Sequence, residues 1–560
     1  MPTALLMLGS GLCAAVIASV GLLAVDRLHL PVPVRDLIDL HLPYLQGESV
    51  LRVLPRVHVD HLIVFQRLLA WIDLYWLRGE LWASLGATLL ACAAVGLLVA
   101  QAAWRDARET AGALPRALPP LAGLVAAAGL LWLGNGYNLA WALQGCFFMV
   151  PAFALAALAR LMRRPSPGPG ERALALLFAA CALVTVGTGL VAVVALGLLV
   201  LALRLPRPAL LTLLPLLALL LAAAWWLGGL GAKGGTDATS PWQRLGDPLL
   251  LLDYLHRYLA EPARLALDAV FSGYQARVAT QVLLAAGLLA LLAAWWQMLR
   301  HGRRPTRLAA QGHLLCLLAI GSGLAPGLAR LEGNPAQAAS LRYLTTGLLF
   351  WIGLLLLVLS ALRTAPPAWR RAGLMALLVV QLVLLAGLPR FWSQMEVRHA
   401  EVAQAAAHLL GATWDDQALG RITQDPERAR RYFTLLRALP GGLYLRDEAA
   451  WIGQPASALG SDKFRCDNYI VWLPPRPTAA GNSALTGWPT DGGLAFDALL
   501  VLDGAGRIEG VALPTRGVQP DHRPDNTLDL GWELWLTPAQ RAGGSLVELR
   551  GRQLCPMAWP

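Results

Sequence analysis

Charged side chains are scarce in this chain. They make up 14% of its 560 residues, against 56% hydrophobic, where a soluble domain carries about 25% charged. A soluble globular protein is thereby excluded. Disorder is excluded too, because apolar runs near the ~20 residues that cross a bilayer recur from Ala4 to Leu388. Cysteine is sparse, seven in all, too few and too scattered for a disulfide framework or a zinc site. Cys13, Cys92, Cys146, Cys181 and Cys316 fall in apolar runs as small hydrophobes. Cys466 and Cys555 stand apart in the polar C-terminal part, where a bridge between them requires an oxidising compartment. There is no Walker A sequence, no HExxH, no nucleophile elbow and no credible dinucleotide fingerprint, which argues against ATP-driven transport within this chain. No internal repeat or low-complexity tract stands out.

What is present is a series of apolar runs. Taking each as a span gives eleven: about 4–25, 81–104, 117–134, 142–162, 173–187, 189–204, 209–229, 279–299, 308–325, 343–362 and 372–389. The fifth and sixth are short and meet at Gly187-Thr188-Gly189, which predicts a tight helical hairpin. The first has no basic stretch before it, and Leu12-Cys13 lacks a small residue ahead of the cysteine, so it is expected to be an uncleaved helix.

The net charge of +11 sits in short loops rather than on a nucleic-acid surface, and no nucleic-acid partner is expected. Arg105, Arg108 and Arg116; Arg160, Arg163, Arg164 and Arg172; Arg204 and Arg207; Arg300, Arg303, Arg304 and Arg307; and Arg363, Arg370 and Arg371 all fall on one side when the spans are threaded from a cytoplasmic N-terminus. Short basic loops stay in the cytoplasm. The expectation is a polytopic α-helical protein of a bacterial inner membrane, with its longer polar segments and C-terminal domain in the periplasm and membrane lipids around it. Nothing in the sequence sets an oligomeric state.

The segments outside are 26–80, 230–278, 326–342 and 390–560. In the first, Leu37, Leu40, Tyr44 and Leu45, then Leu62, Phe65, Leu68, Leu69 and Ile72, repeat at helical spacing, as interfacial helices do. Leu249, Leu252, Leu255, Tyr258 and Leu259 suggest another in the second. The C-terminal segment opens with helices (396–410, 427–439), then alternates with period two over 468–473, 495–502, 507–513, 531–536 and 545–550, with Asp503-Gly504-Ala505-Gly506 as a hairpin turn. The organisation expected is a membrane module over 1–389 with a long first loop, and an α+β or β-sandwich domain over 390–560.

Candidate chemistry gathers in the first loop, which carries Arg35, Asp36, Asp39, His41, Glu48, Arg52, Arg56, His58, Asp60, His61, Arg67 and Asp73. Asp36 and Asp39 share a helix face, the spacing of a reactive pair and equally of a solvated face. His58 and His61 also share a face and, with Asp60, could bind a metal or a phosphate or could belong to a solvated loop. Asn135, Asn138, Trp141 and Gln144 follow the third span. Arg330, Glu332, Asn334, Arg342 and Tyr343 lie around the ninth and tenth. Arg342, at the head of an apolar helix, either snorkels to headgroups or receives a phosphate through its bidentate fork. Trp488, Trp532 and Trp535 could hold a glycan or fill a core.

A first span followed at once by a long acidic loop with interfacial helices, many later spans and an outside C-terminal domain resembles the GT-C glycosyltransferases. The stretches His58-Val59-Asp60-His61-Leu62-Ile63-Val64-Phe65-Gln66-Arg67-Leu68, Asn138-Leu139-Ala140-Trp141-Ala142-Leu143-Gln144 and Ser340-Leu341-Arg342-Tyr343 are similar to bacterial multi-span proteins of that type. The resemblance implies inverting transfer from a polyprenyl-phosphate sugar to a cell-envelope glycan, lipid or protein acceptor. An aspartate of the first loop would act as base, with Asp39 preferred to Asp36. Arg342, Tyr343, Arg330, His58 and His61 would hold the donor phosphate, and Asp60, Arg67, Asn138 and Gln144 would line the substrate cavity. No metal ligand is assigned, although a divalent metal would be compatible. The chain departs from the family pattern in Asp-Leu-Ile-Asp, where adjacent acidic residues are usual, and in lacking an Arg after His61. An O-antigen polymerase or ligase, a secondary transporter and a glycan-binding protein are the competing expectations.

Overall fold

The computed structural model describes residues 3–58, 61–109, 118–164, 166–202, 247–301, 304–330, 335–410, 416–438, 441–462, 470–472, 475–477, 482–489, 498–512, 515–516, 530–550 and 552–557, with isolated positions between 207 and 222. Two compact units emerge. One takes Met1–Arg27, Leu54–Gln66 and Ser84–Trp392, and the other takes Leu28–Val53, Arg67–Ala83 and Ser393–Pro560.

In the first unit and at its borders, eight helices among the described residues are long and apolar enough to cross a bilayer: Thr3–Leu28, Trp82–Glu109, Leu118–Ala140, Ala142–Leu161, Gly273–Arg300, Arg307–Leu328, Leu341–Leu362 and Pro367–Leu410. Their outer faces are apolar, with Leu90, Leu97, Leu289 and Leu292 left exposed. Water would penalise such a surface, and lipid does not. The protein is a polytopic membrane protein. The runs expected at 173–187 and 189–204 form the helices Pro169–Leu183 and Thr188–Ala202, each of 15 residues. At ~1.5 Å per residue the first is about 22 Å long, short of a ~30 Å hydrocarbon core, and the second is described as far as Ala202. The run at 209–229 falls largely outside the described residues.

Packing between spans uses small residues. Gly312 and Gly353 meet so closely that a Cβ on either would come within 2.7 Å or 2.6 Å of the other's carbonyl oxygen, and only glycine permits that approach. One buried carboxylate ties three spans together. Asp106, near the end of Trp82–Glu109, accepts the N–H groups of Arg307 (3.0 Å) and Leu308 (2.9 Å) at the start of the helix Arg307–Arg330. It also faces the guanidinium groups of Arg307 at 3.6 Å and Arg363 at 3.3 Å. Two arginines of the basic loops therefore have a fixed structural partner.

The second unit joins much of the first loop to the C-terminal segment. The helix Asp36–Leu45 buries Ile38, with Val32, in a core shared with Val402, Leu409, Tyr432, Phe433, Leu436 and Leu443. A division at 389/390 assigns this whole loop to the spans, whereas 28–53 and 67–83 are compact with 393–560. Gly79 and Gly442, both at positive φ, let the chain turn where the Gly442 N–H donates to the Arg78 carbonyl.

Beyond the helices lie two five-stranded sheets. One runs in the order Ser461–Asp462, Gln553–Met557, Ser545–Arg550, Ala498–Leu502, Ile508–Ala512, and the other contains Ile470–Trp472, Ser483–Pro489, Leu530–Leu536 and Thr515–Arg516, with Arg476–Pro477 paired to its second strand. Leu499, Val501, Ala512 and Leu546 of the first pack on Leu485, Leu534 and Leu536 of the second. Ala498, Leu500 and Leu502 alternate to the opposite face, against Trp451, Ile452 and Leu459. The expected turn is present: the Asp503 carboxylate accepts from Ala505 and Arg507 N–H, and Gly506 is at φ +74°. Cys555 is disulfide-bonded, and Cys466 lies outside the described residues.

Candidate functional site

In the C-terminal-rich unit the two aspartates open the helix Asp36–Leu45. Arg35, just before them, takes φ +53°, and its N–H donates to the Ile422 carbonyl at 2.6 Å, which sets the direction in which the helix starts. Ile38 faces the core, so Asp36 and Asp39 emerge on the other side. Asp36 is exposed. Asp39 is 24% exposed and its Oδ1 accepts from Arg428 at 2.6 Å. Arg428 also reaches Asp425 at 3.2 Å, and the hydrogen bond and charge of Asp39, with the charges of Asp425 and Asp36, hold this guanidinium more firmly protonated than usual. Oδ2 of Asp39 accepts no hydrogen bond among the described residues. Two residues along, the His41 Nδ1 hydrogen-bonds the Tyr432 hydroxyl at 3.0 Å. Burial pushes the His41 pKa down to about 3, so the ring is a neutral strut between the helices Asp36–Leu45 and Pro426–Ala438. Arg67 is buried, and its carbonyl accepts from the Tyr44 hydroxyl. It is part of this unit's framework.

In the helical unit a second cluster forms at the ends of Leu118–Ala140 and the start of Leu341–Leu362. Asn138 Nδ2 donates to the Asn135 Oδ1 (3.0 Å), the Leu341 carbonyl (2.8 Å) and the Thr345 hydroxyl (3.0 Å). Thr345 donates in turn to Asn135 at 2.9 Å. All three side chains are fully buried, yet the Asn138 Oδ1 has no partner. Beside them the Arg342 guanidinium lies 4.7 Å from the Tyr343 ring centroid, worth about 0.5–2 kcal/mol as a cation–π contact. Arg342 is half-buried, its Nε is unsatisfied, and it makes no ion pair among the described residues. Tyr343 packs on Tyr258, whose hydroxyl bonds Thr346. Gln144 is buried with its Oε1 unpartnered.

His58 and His61 are brought together, but not on a helix. They are opposite one another in the two-residue strands Val57–His58 and His61–Leu62, where cross-strand neighbours share a face. The His61 ring occupies space that only a glycine at 187 leaves: a Cβ there would fall 2.7 Å from it. Asp60, Glu332 and Asn334 lie outside the described residues. The helix Arg307–Arg330 ends at Arg330, whose side chain is likewise outside the description. Trp535 is buried against His408, which is core packing, not a glycan platform.

The structure thus groups Asn138 with Arg342 and Tyr343, and gives Asp39 an arginine that sequence reading missed. Arg428 stands in a mainly basic run, Glu427 to Arg431, which reads as a solvated helix face. Thr345 and Thr346 were legible only as polar interruptions at the head of an apolar helix. No family model matches the chain, and neither does any curated protein or solved structure.

Proposed function

We propose that the protein is an integral-membrane glycosyltransferase of the GT-C kind, moving a sugar from a polyprenyl-phosphate donor to a cell-envelope acceptor on the periplasmic side of the inner membrane. The observation that carries this reading is Arg342: a half-buried cation without an ion pair among the described residues, clamped over Tyr343 at the head of an apolar span and next to a buried amide–hydroxyl network. A lipid phosphate at the membrane surface supplies the missing anion, and charge-assisted contacts to it stabilise the leaving group as the glycosidic bond breaks. Asp39, its Oδ1 held by Arg428 and its Oδ2 without a hydrogen bond among the described residues, supports the second half. A carboxylate held in one rotamer can take the proton of an acceptor hydroxyl as that oxygen attacks the anomeric carbon. On this reading Arg428 is a positioning residue. The arginine-rich loops then face the cytoplasm, and the sheets form a periplasmic domain of the sandwich kind.

The test is transfer by the full-length protein in vesicles, offered a panel of labelled polyprenyl-phosphate sugars and an envelope extract as acceptor. Product is expected from at least one donor, and Arg342→Gln should raise the donor KM by about tenfold or more, the loss of one charge-assisted contact. Absence of product from every donor, or an unchanged KM in Arg342→Gln, would overturn the reading.

A further inference from the structure

The helical unit contains a groove of about 340 Å³ that the proposed reaction does not use. It lies between the helices Trp82–Glu109, Gly145–Leu161 and Pro169–Leu183, with Leu97, Leu98, Ala156 and Phe178 among its walls and Arg105, Arg160 and Arg163 at one end. From Ala94 to Arg105 the wall runs along twelve residues of helix, about 17 Å at ~1.5 Å per step, apolar at the start and cationic at the finish.

The charges at that end are unevenly matched. Arg163 shares Glu171 with Arg164, at 3.6 and 3.8 Å. Arg307 is committed to Asp106 and Glu109. Arg105 and Arg160, both half-buried, make no hydrogen bond or ion pair among the described residues. At the same level Trp104 is 45% exposed and carries Arg108 over its ring at 5.0 Å. A tryptophan and an arginine so placed mark the headgroup level of a bilayer. The arginine end of the groove is therefore at the membrane surface, and its apolar part is at acyl-chain depth.

We infer that this groove is a binding site for an anionic glycerophospholipid of the leaflet that meets the arginine-rich loops. Its phosphate sits between Arg105 and Arg160, and an acyl chain lies along Leu97, Ala156 and Phe178. Charge complementarity selects the headgroup, because two cations that make no ion pair among the described residues, amid further arginines that outweigh Glu171, favour a net-negative lipid over a zwitterionic one. The apolar wall selects a lipid over a soluble phosphate, which would leave that wall with nothing to cover it. The inference is independent of what the enzyme transfers.

The test is native mass spectrometry of the full-length protein titrated with phosphatidylglycerol or phosphatidylcholine, with glycerol phosphate as a chain-free competitor. Wild type should retain phosphatidylglycerol at least tenfold more tightly than phosphatidylcholine. The double variant Arg105→Gln/Arg160→Gln should lose that preference, while Arg371→Gln keeps it. Should the double variant fail to fold, Ala159→Leu narrows the groove without touching a charge and should weaken retention of phosphatidylglycerol severalfold. Equal retention of the two lipids by wild type, undiminished retention in Arg105→Gln/Arg160→Gln or in Ala159→Leu, or full displacement by glycerol phosphate would each overturn the inference.

Discussion

Two aspartates, one in each compact unit, both face arginine, and they are built to opposite ends. Asp106 is 3% exposed and saturated, with two backbone N–H groups and two guanidinium groups around its oxygens. Asp39 is 24% exposed, with one oxygen held by Arg428 and the other accepting no hydrogen bond among the described residues. A carboxylate with every lone pair engaged can only hold structure together, because any new partner must displace an old one. A carboxylate fixed through one oxygen and accessible through the other can meet a substrate without rebuilding its surroundings. Buried charge alone does not separate structural from reactive groups; the number of unfilled acceptor sites does.

The largest effect is expected at the saturated site. Asp106→Ala removes the carboxylate that the buried Arg363 faces, leaves Arg307 to Glu109 alone and uncaps a helix, at a cost of about 3–5 kcal/mol. Thermal unfolding in detergent should show a large drop, and an unchanged midpoint would dissolve the contrast. Asp39→Asn should lower transfer by about 10²–10⁴-fold, the range for a lost general base, with stability altered by no more than ~1 kcal/mol, as for a partly exposed ion pair. If stability fell as far as in Asp106→Ala, the two residues would belong to one class.

His41 sharpens the same comparison through pH. Its folded pKa of about 3 lies below the ordinary 6.5, so the unfolded chain takes up a proton first. The stability that burial of the neutral ring provides is complete above pH ~6.5 and declines towards pH ~3, by up to ~1.4 kcal/mol per pH unit. His41→Gln keeps a hydrogen-bonding group for Tyr432 and should shed less stability between pH 7 and pH 5 than wild type, as read by melting curves. The smallest effect is expected for Asp36→Asn. An exposed carboxylate whose charge acts on Arg428 without a hydrogen bond to it should change transfer by about twofold or less. A loss matching that of Asp39→Asn would move the base to Asp36.

Much of the fold was legible in the sequence. Apolar run length marks spans because the bilayer imposes it, and the helices Asp36–Leu45 and Pro248–Leu267 follow their apolar spacing. The strands Ala498–Leu502 and Ile508–Ala512 follow theirs, together with the turn that joins them. What could not be read was pairing at a distance. Nothing in 36–45 announces that Ile38 meets Phe433, or that Asp39 meets Arg428, 389 positions away. His58 and His61 suggested a helix because they stand three positions apart. The run Val57-His58-Val59 instead favours extended backbone, since β-branched side chains restrict helix.

The core shared by Val32 and Ile38 with Val402 and Leu409 also imposes an order on biosynthesis. The first loop leaves the ribosome some 350 residues before its partners, a delay of roughly 20–70 s at ~5–20 residues per second. During that interval its apolar face has nothing of its own chain to rest on. Nascent protein must therefore shelter it on lipid or on a chaperone, and any premature stop before residue 393 would leave it permanently bare, a mark by which quality-control proteases could sort incomplete chains from finished ones.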